Sequence, residues 1–77
     1  MDNANGGNMI KVNGIDIDIG GKSFAGKSIA EYLASTNYDT KRIAVEKNGD
    51  IVPKAKYAET LLAEGDALEV VSFVGGG

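Results

Sequence analysis

The 77-residue chain contains no cysteine and no histidine. Those two absences remove disulfides, the usual zinc ligands, thiol nucleophiles and the commonest general base together. Proline occurs once, and no apolar run approaches the roughly 20 residues needed to span a bilayer. Basic residues are outnumbered eight to eleven and lie scattered, leaving a net charge of -3. Nucleic-acid phosphates require a basic face, so that class of partner is not expected. No signal-peptide pattern opens the chain. The expectation is a cytoplasmic protein with neither a membrane nor a nucleic-acid partner. A single domain of this length buries only about 60% of its unfolded surface, which disfavours a deep catalytic cleft.

What is present is ordinary globular material, 43% hydrophobic and 25% charged, with eleven glycines. Residues 1–8, MDNANGGN, are small and polar without periodicity. They read as a disordered extension or a cloning remnant. From Met9 to Ile19, "MIKVN" and "IDIDI" alternate apolar with polar about Asn13-Gly14, a preferred type I′ turn pair. This is a hairpin with one oily and one wet face. "SIAEYLAST" follows, with Ile29 and Leu33 on one helical face, Tyr32 beside them, and the Ser28-x-x-Glu31 spacing of a capping box. The spacing predicts a helix of about eight to ten residues. "RIAVEKNGDIVP" supplies a third strand, a second Asn-Gly turn and a short fourth strand that Pro53 confines to an edge or an end. "KAKYAETLLAEGD" reads as a short helical turn or loop before the last strand, "ALEVVSFV". The order β-β-α-β-β-β, with one oily sheet face, predicts an α+β roll with a single helix laid across the sheet.

Two motifs advertise chemistry that their surroundings do not support. Gly21 to Ser28, "GKSFAGKS", satisfies the G-x-x-x-x-G-K-[ST] phosphate-loop pattern. Such loops, however, follow buried strands of continuous apolar residues, whereas "IDIDI" alternates like a half-exposed antiparallel strand. Ser28 is also taken as a helix cap, so the stretch reads as a glycine-rich loop feeding a helix. Asp16 and Asp18 hold the first and third places of a calcium loop, but Gly20 and Lys27 stand where further ligands belong. They read as solvated strand carboxylates. Glu64, Asp66 and Glu69 read as a solvated acidic face, with a docking surface as the alternative.

The end of the chain, "VSFVGGG", is the remaining signal. Along the last strand Leu68 and Val70 share one face while Glu69, Val71 and Phe73 share the other, so two apolar side chains point where water is expected. Val71 and Phe73 are either a partner-docking patch or packed beneath a loop. Beyond them, three glycines reach on the order of 10 Å with no side chain to obstruct a narrow channel. The domain is therefore divided into residues 1–8, a folded body over 9–74, and a glycine tail over 75–77.

The segments "MIKVNG", "RIAVEKNGDIVPKAKY" and "LLAEGDALEVVSFV", with the closing glycines, resemble the ThiS family of thiamine-pathway sulfur carriers. The resemblance implies a ubiquitin-like β-grasp roll, a mixed four- to five-stranded sheet with one main helix across it. It implies a protein substrate instead of an enzyme, monomeric when free and binding no cofactor itself. In that family an adenylyltransferase-type activating enzyme uses ATP to adenylate the C-terminal carboxylate. With a sulfur-donor enzyme the carboxylate becomes a thiocarboxylate, and its sulfur passes to thiazole synthase. On this chain the reacting carboxylate maps to Gly77, with Gly76 and Gly75 threading the tail. Three glycines stand where the family commonly has two, so Gly75 belongs either to the tail or to its hinge. The alternatives are the small subunit of molybdopterin synthase and a ubiquitin-like protein-conjugating modifier.

Overall fold

The computed structural model describes residues 9–18 and 20–73. Strands β1 (Ile10–Val12) and β2 (Ile15–Ile17) are followed by helix α1 (Ile29–Ala34), β3 (Ile43–Lys47), β4 (Asp50–Val52) and β5 (Ala67–Ser72). The five strands form one mixed sheet in the order β2-β1-β5-β3-β4. The last strand is thus central, parallel to β1 and antiparallel to β3. The expected fold and both hairpins are present. Ile19 and Val74, at the ends of two expected strands, lie outside the described residues, as do residues 1–8 and 75–77.

Both hairpins turn on Asn-Gly because both positions need positive φ, 53° and 83° at Asn13-Gly14 and 52° and 91° at Asn48-Gly49. The two asparagines also bind the central strand. Asn13 accepts the Val70 N–H through Oδ1 at 2.8 Å and donates through Nδ2 to the Val70 carbonyl at 3.2 Å. Asn48 accepts the Ala67 N–H through Oδ1 at 2.9 Å. Side-chain amides therefore extend the hydrogen bonding of β5 where the short neighbouring strands give way to turns. Pro53 follows β4, which is an edge strand as its proline requires.

One sheet face is covered. Ile10, Val12, Ile43, Val45, Leu68 and Val70 from the sheet pack with Ile29, Tyr32 and Leu33 of α1, and Phe24, Tyr57 and Leu62 from the connections complete the core. Phe24 meets Tyr32 edge-on with ring centroids 5.2 Å apart. Burial raises the ionisation of the Tyr32 phenol above its ordinary range, with a smaller contribution from Tyr38, and burial alone raises that of Tyr57. The hairpin face is less uniformly oily than its alternation predicts. Ile15 shares the register of Val12 but sits on the edge strand next to the turn, and is 68% exposed.

Helix α1 has six residues, fewer than the eight to ten expected. Its C-terminal end is closed early because the Ser35 and Thr36 hydroxyls donate to the carbonyls of Tyr32 and Leu33 at 2.6 and 2.7 Å. Its N-terminal end is held from outside. The capping box is formed, with Glu31 N–H to Ser28 Oγ at 3.0 Å and Ser28 N–H to Glu31 Oε1 at 2.8 Å. The Ile29 and Ala30 amides donate to the carbonyls of Thr60 and Tyr57 at 2.9 and 3.0 Å. So short a helix is marginal on its own, and these contacts satisfy the donors that its first turn leaves open.

Candidate functional site

Strand alternation and register place Lys11, Asp16, Ala44, Glu46, Ile51, Ala67, Glu69, Val71 and Phe73 on the face of the sheet opposite the helix. Val71 stands opposite Ala44. One row on, Glu69 stands opposite Glu46, which in turn faces Ile51 of β4. Beyond Val71, the Phe73 N–H donates to the Arg42 carbonyl at 2.7 Å, so the backbone is still anchored where the described chain ends. Val71, Phe73 and Ile51 are 54%, 56% and 72% exposed. The first two are therefore not packed under a loop, and they belong to a wider apolar surface whose third member was legible in the "NGDIV" register. The central position of β5 places Val71 and Phe73 at the C-terminal end of the described strand. Gly75, Gly76 and Gly77 lie outside the described residues.

The phosphate-loop pattern is spent internally. Gly21 N–H donates to Asp18 Oδ1, Ala25 N–H to Ser23 Oγ, Gly26 N–H to the Leu62 carbonyl, and Lys27 N–H to the Phe24 carbonyl. Ser28 uses its amide and hydroxyl in the capping box. A P-loop aims such amides at phosphate; here three of them close turns, that of Gly26 binds the distant Leu62 carbonyl, and Phe24, in the middle of the motif, is a core residue. Asp18 is consumed by that turn, and Asp16 pairs with Lys11 Nζ at 2.6 Å.

The acidic run needs one correction. Asp66 is not part of a solvated face but is almost fully buried. Its Oδ1 accepts the Asn48 side-chain amide at 3.0 Å, its Oδ2 accepts the Ala63 N–H at 2.8 Å, and Lys47 Nζ lies 3.8 Å from Oδ2. It joins the turn before β5 to the β3–β4 hairpin. The "EGD" letters resemble a turn, but the partners that bury the carboxylate are up to 19 residues away, beyond the reach of local pattern. Among the described residues no helix is long and apolar enough to cross a membrane.

These features define a class before they define a family. The crystal structure of a thiamine biosynthesis protein (ThiS) from Geobacter metallireducens superposes with a TM-score of 0.73 at 27% identity, over 90% of this chain and 99% of that one. A mixed sheet with its last strand in the middle and one helix across it makes this a ubiquitin-like β-grasp protein. The model of the ThiS family matches residues 10–77. Sulfur carrier protein ThiS of Bacillus subtilis is 39% identical over 69 residues, which are 90% of this chain and all of that protein. A thiazole synthase of Paramagnetospirillum magneticum is 42% identical over 53 residues, but the match spans only 16% of that protein's length. The chain belongs to the ThiS family.

Proposed function

We propose that this chain is a sulfur carrier for thiamine biosynthesis whose reacting group is the carboxylate of Gly77. A carboxylate is a poor acyl electrophile. Attack of its oxygen on the α-phosphorus of ATP, in an activating enzyme, releases pyrophosphate and leaves an acyl adenylate. Hydrosulfide supplied by a donor enzyme then adds through sulfur at the Gly77 carbonyl carbon, AMP departs, and loss of the thiol proton leaves the anion. The resulting thiocarboxylate presents a soft nucleophilic sulfur to thiazole synthase, held in place by the tail. The chain itself has no histidine or cysteine to assist any of these steps. On this reading it is a substrate, monomeric when free, cytoplasmic, and holds no cofactor, since ATP belongs to the activating enzyme.

The observation that supports this reading best is the family match over residues 10–77, which includes the glycines. The physical requirement agrees with it. Ordering Gly75, Gly76 and Gly77 in a partner's channel costs roughly 3 to 6 kcal/mol of backbone entropy. The body must offset that by docking, and Val71 with Phe73 is the assigned contact, exposed beside the point where the tail begins. The test is reconstitution with the cognate activating enzyme, sulfur donor and thiazole synthase. The full chain is expected to support ATP–pyrophosphate exchange and thiazole formation, and the chain lacking Gly77 to support neither. Thiazole formation by the truncated chain would refute the proposal. Delivery of the sulfur to a molybdopterin-forming acceptor in its place would refute the pathway, and covalent ladders on cellular proteins would point to a conjugating modifier.

A further inference from the structure

On the open face, Glu46 and Glu69 stand directly opposite each other on neighbouring strands. Like charges in that position destabilise a sheet. Among the described residues neither carboxylate forms an ion pair, and the nearby strand and turn cations are engaged elsewhere: Lys11 with Asp16 at 2.6 Å, Lys47 with Asp66 at 3.8 Å and Arg42 with Asp39 at 3.5 Å. The pair sits within the exposed apolar surface, in one row with Ile51 and one row from Val71. Two carboxylates are too few ligands for calcium. A second copy whose two-fold axis passed through the pair would bring glutamate against glutamate.

We propose that this face is a docking surface for a partner protein that presents an arginine or lysine among apolar side chains, the cation lying between Glu46 and Glu69 while Ile51 and Val71 exclude water beside it and Phe73 extends the apolar contact two rows further along β5. The proposal rests on the carrier reading, and of the partners that reading names we assign thiazole synthase, because a thiazole synthase itself carries a region similar to this chain. A cation placed there replaces one repulsion by two attractions, in surroundings where screening is weak. The unrelieved negative potential also steers a basic partner toward the face before contact.

The arrangement has a signature that a merely structural role lacks, because neutralising either glutamate should stabilise the free protein and weaken docking together. The experiment measures thermal unfolding of Glu46→Gln, Glu69→Gln and the double variant. It also measures their association rates with immobilised thiazole synthase across a salt series. Each single change is expected to raise the melting temperature by about 1–5 °C. The double variant is expected to associate about tenfold more slowly at low salt and with a flatter salt dependence. Association of the double variant within about twofold of the unmodified chain at low salt, or a fall in melting temperature, would overturn the proposal. An unmodified chain that fails to bind thiazole synthase would defeat the carrier reading and this proposal with it. Binding that ignores the charges would defeat this proposal and leave the carrier reading standing.

Discussion

Asp66→Ala tests the packing account most severely, because the residue looks dispensable in sequence and is not so in structure. Its carboxylate accepts two hydrogen bonds, from Asn48 Nδ2 at 3.0 Å and Ala63 N at 2.8 Å, and its side chain is only 11% exposed. Hydrogen bonds to a charged group contribute about 1.5–3 kcal/mol each, less where water can replace the lost partner. Ala63 and Asn48 are both exposed enough for partial rehydration, and the Lys47 contact at 3.8 Å adds well under 1 kcal/mol. The expected cost is about 2–4 kcal/mol. A domain of this length has a total stability of only about 4–11 kcal/mol, so the melting temperature should fall by roughly 10–30 °C. Far-ultraviolet circular dichroism on heating measures the fall. Asn48→Ala and the double variant complete a cycle, in which the two changes should cost less together than the sum of their separate effects. A melting temperature within about 2 °C of the unmodified chain would refute the role given to Asp66.

Three further outcomes follow from particular contacts. Ser28→Ala should cost about 1 kcal/mol through loss of the Glu31 amide acceptor, measured by urea unfolding, and Glu31→Gln should cost less because the box is retained. Lys27→Ala should leave stability unchanged, and isothermal titration should find no ATP binding to the purified chain with or without it. Micromolar binding lost in the variant would revive the phosphate loop. Tyr32 and Tyr57 ionise above the ordinary value of 10.0, so the folded state holds these protons more tightly than the unfolded state. Their contribution is complete below about pH 10 and is lost as pH rises through the raised values. Urea midpoints should therefore decline on the alkaline side of about pH 10, and less steeply for Tyr32→Phe with Tyr57→Phe.

Local chemistry explains what was legible in the sequence. Asn13-Gly14 and Asn48-Gly49 require positive φ, and that requirement set both hairpins and the alternation on either side. The Ser28–Glu31 spacing marked the start of α1, and the alternation of β5 separated Leu68 and Val70 from Val71 and Phe73. What escaped reading depends on contacts distant in sequence. The length of α1 is set by two hydroxyls that local propensity leaves ambiguous, and its first turn is completed by carbonyls near residue 60. Phe24 is buried because the glycine-rich loop folds under the helix, not because of any periodicity. The Glu46–Glu69 pairing needed the β3–β5 register, which no local pattern specifies.

The carrier function depends on one reacting atom, the carbonyl carbon of Gly77. The chain ending at Gly77 should be incubated with ATP, its activating enzyme and a sulfur donor, and fragmented in a mass spectrometer to locate any sulfur gained. The predicted result is one oxygen exchanged for sulfur on the Gly77 carboxylate, with no gain when Gly77 is deleted. Sulfur found on any other residue, or equal loading of the shortened chain, would contradict it.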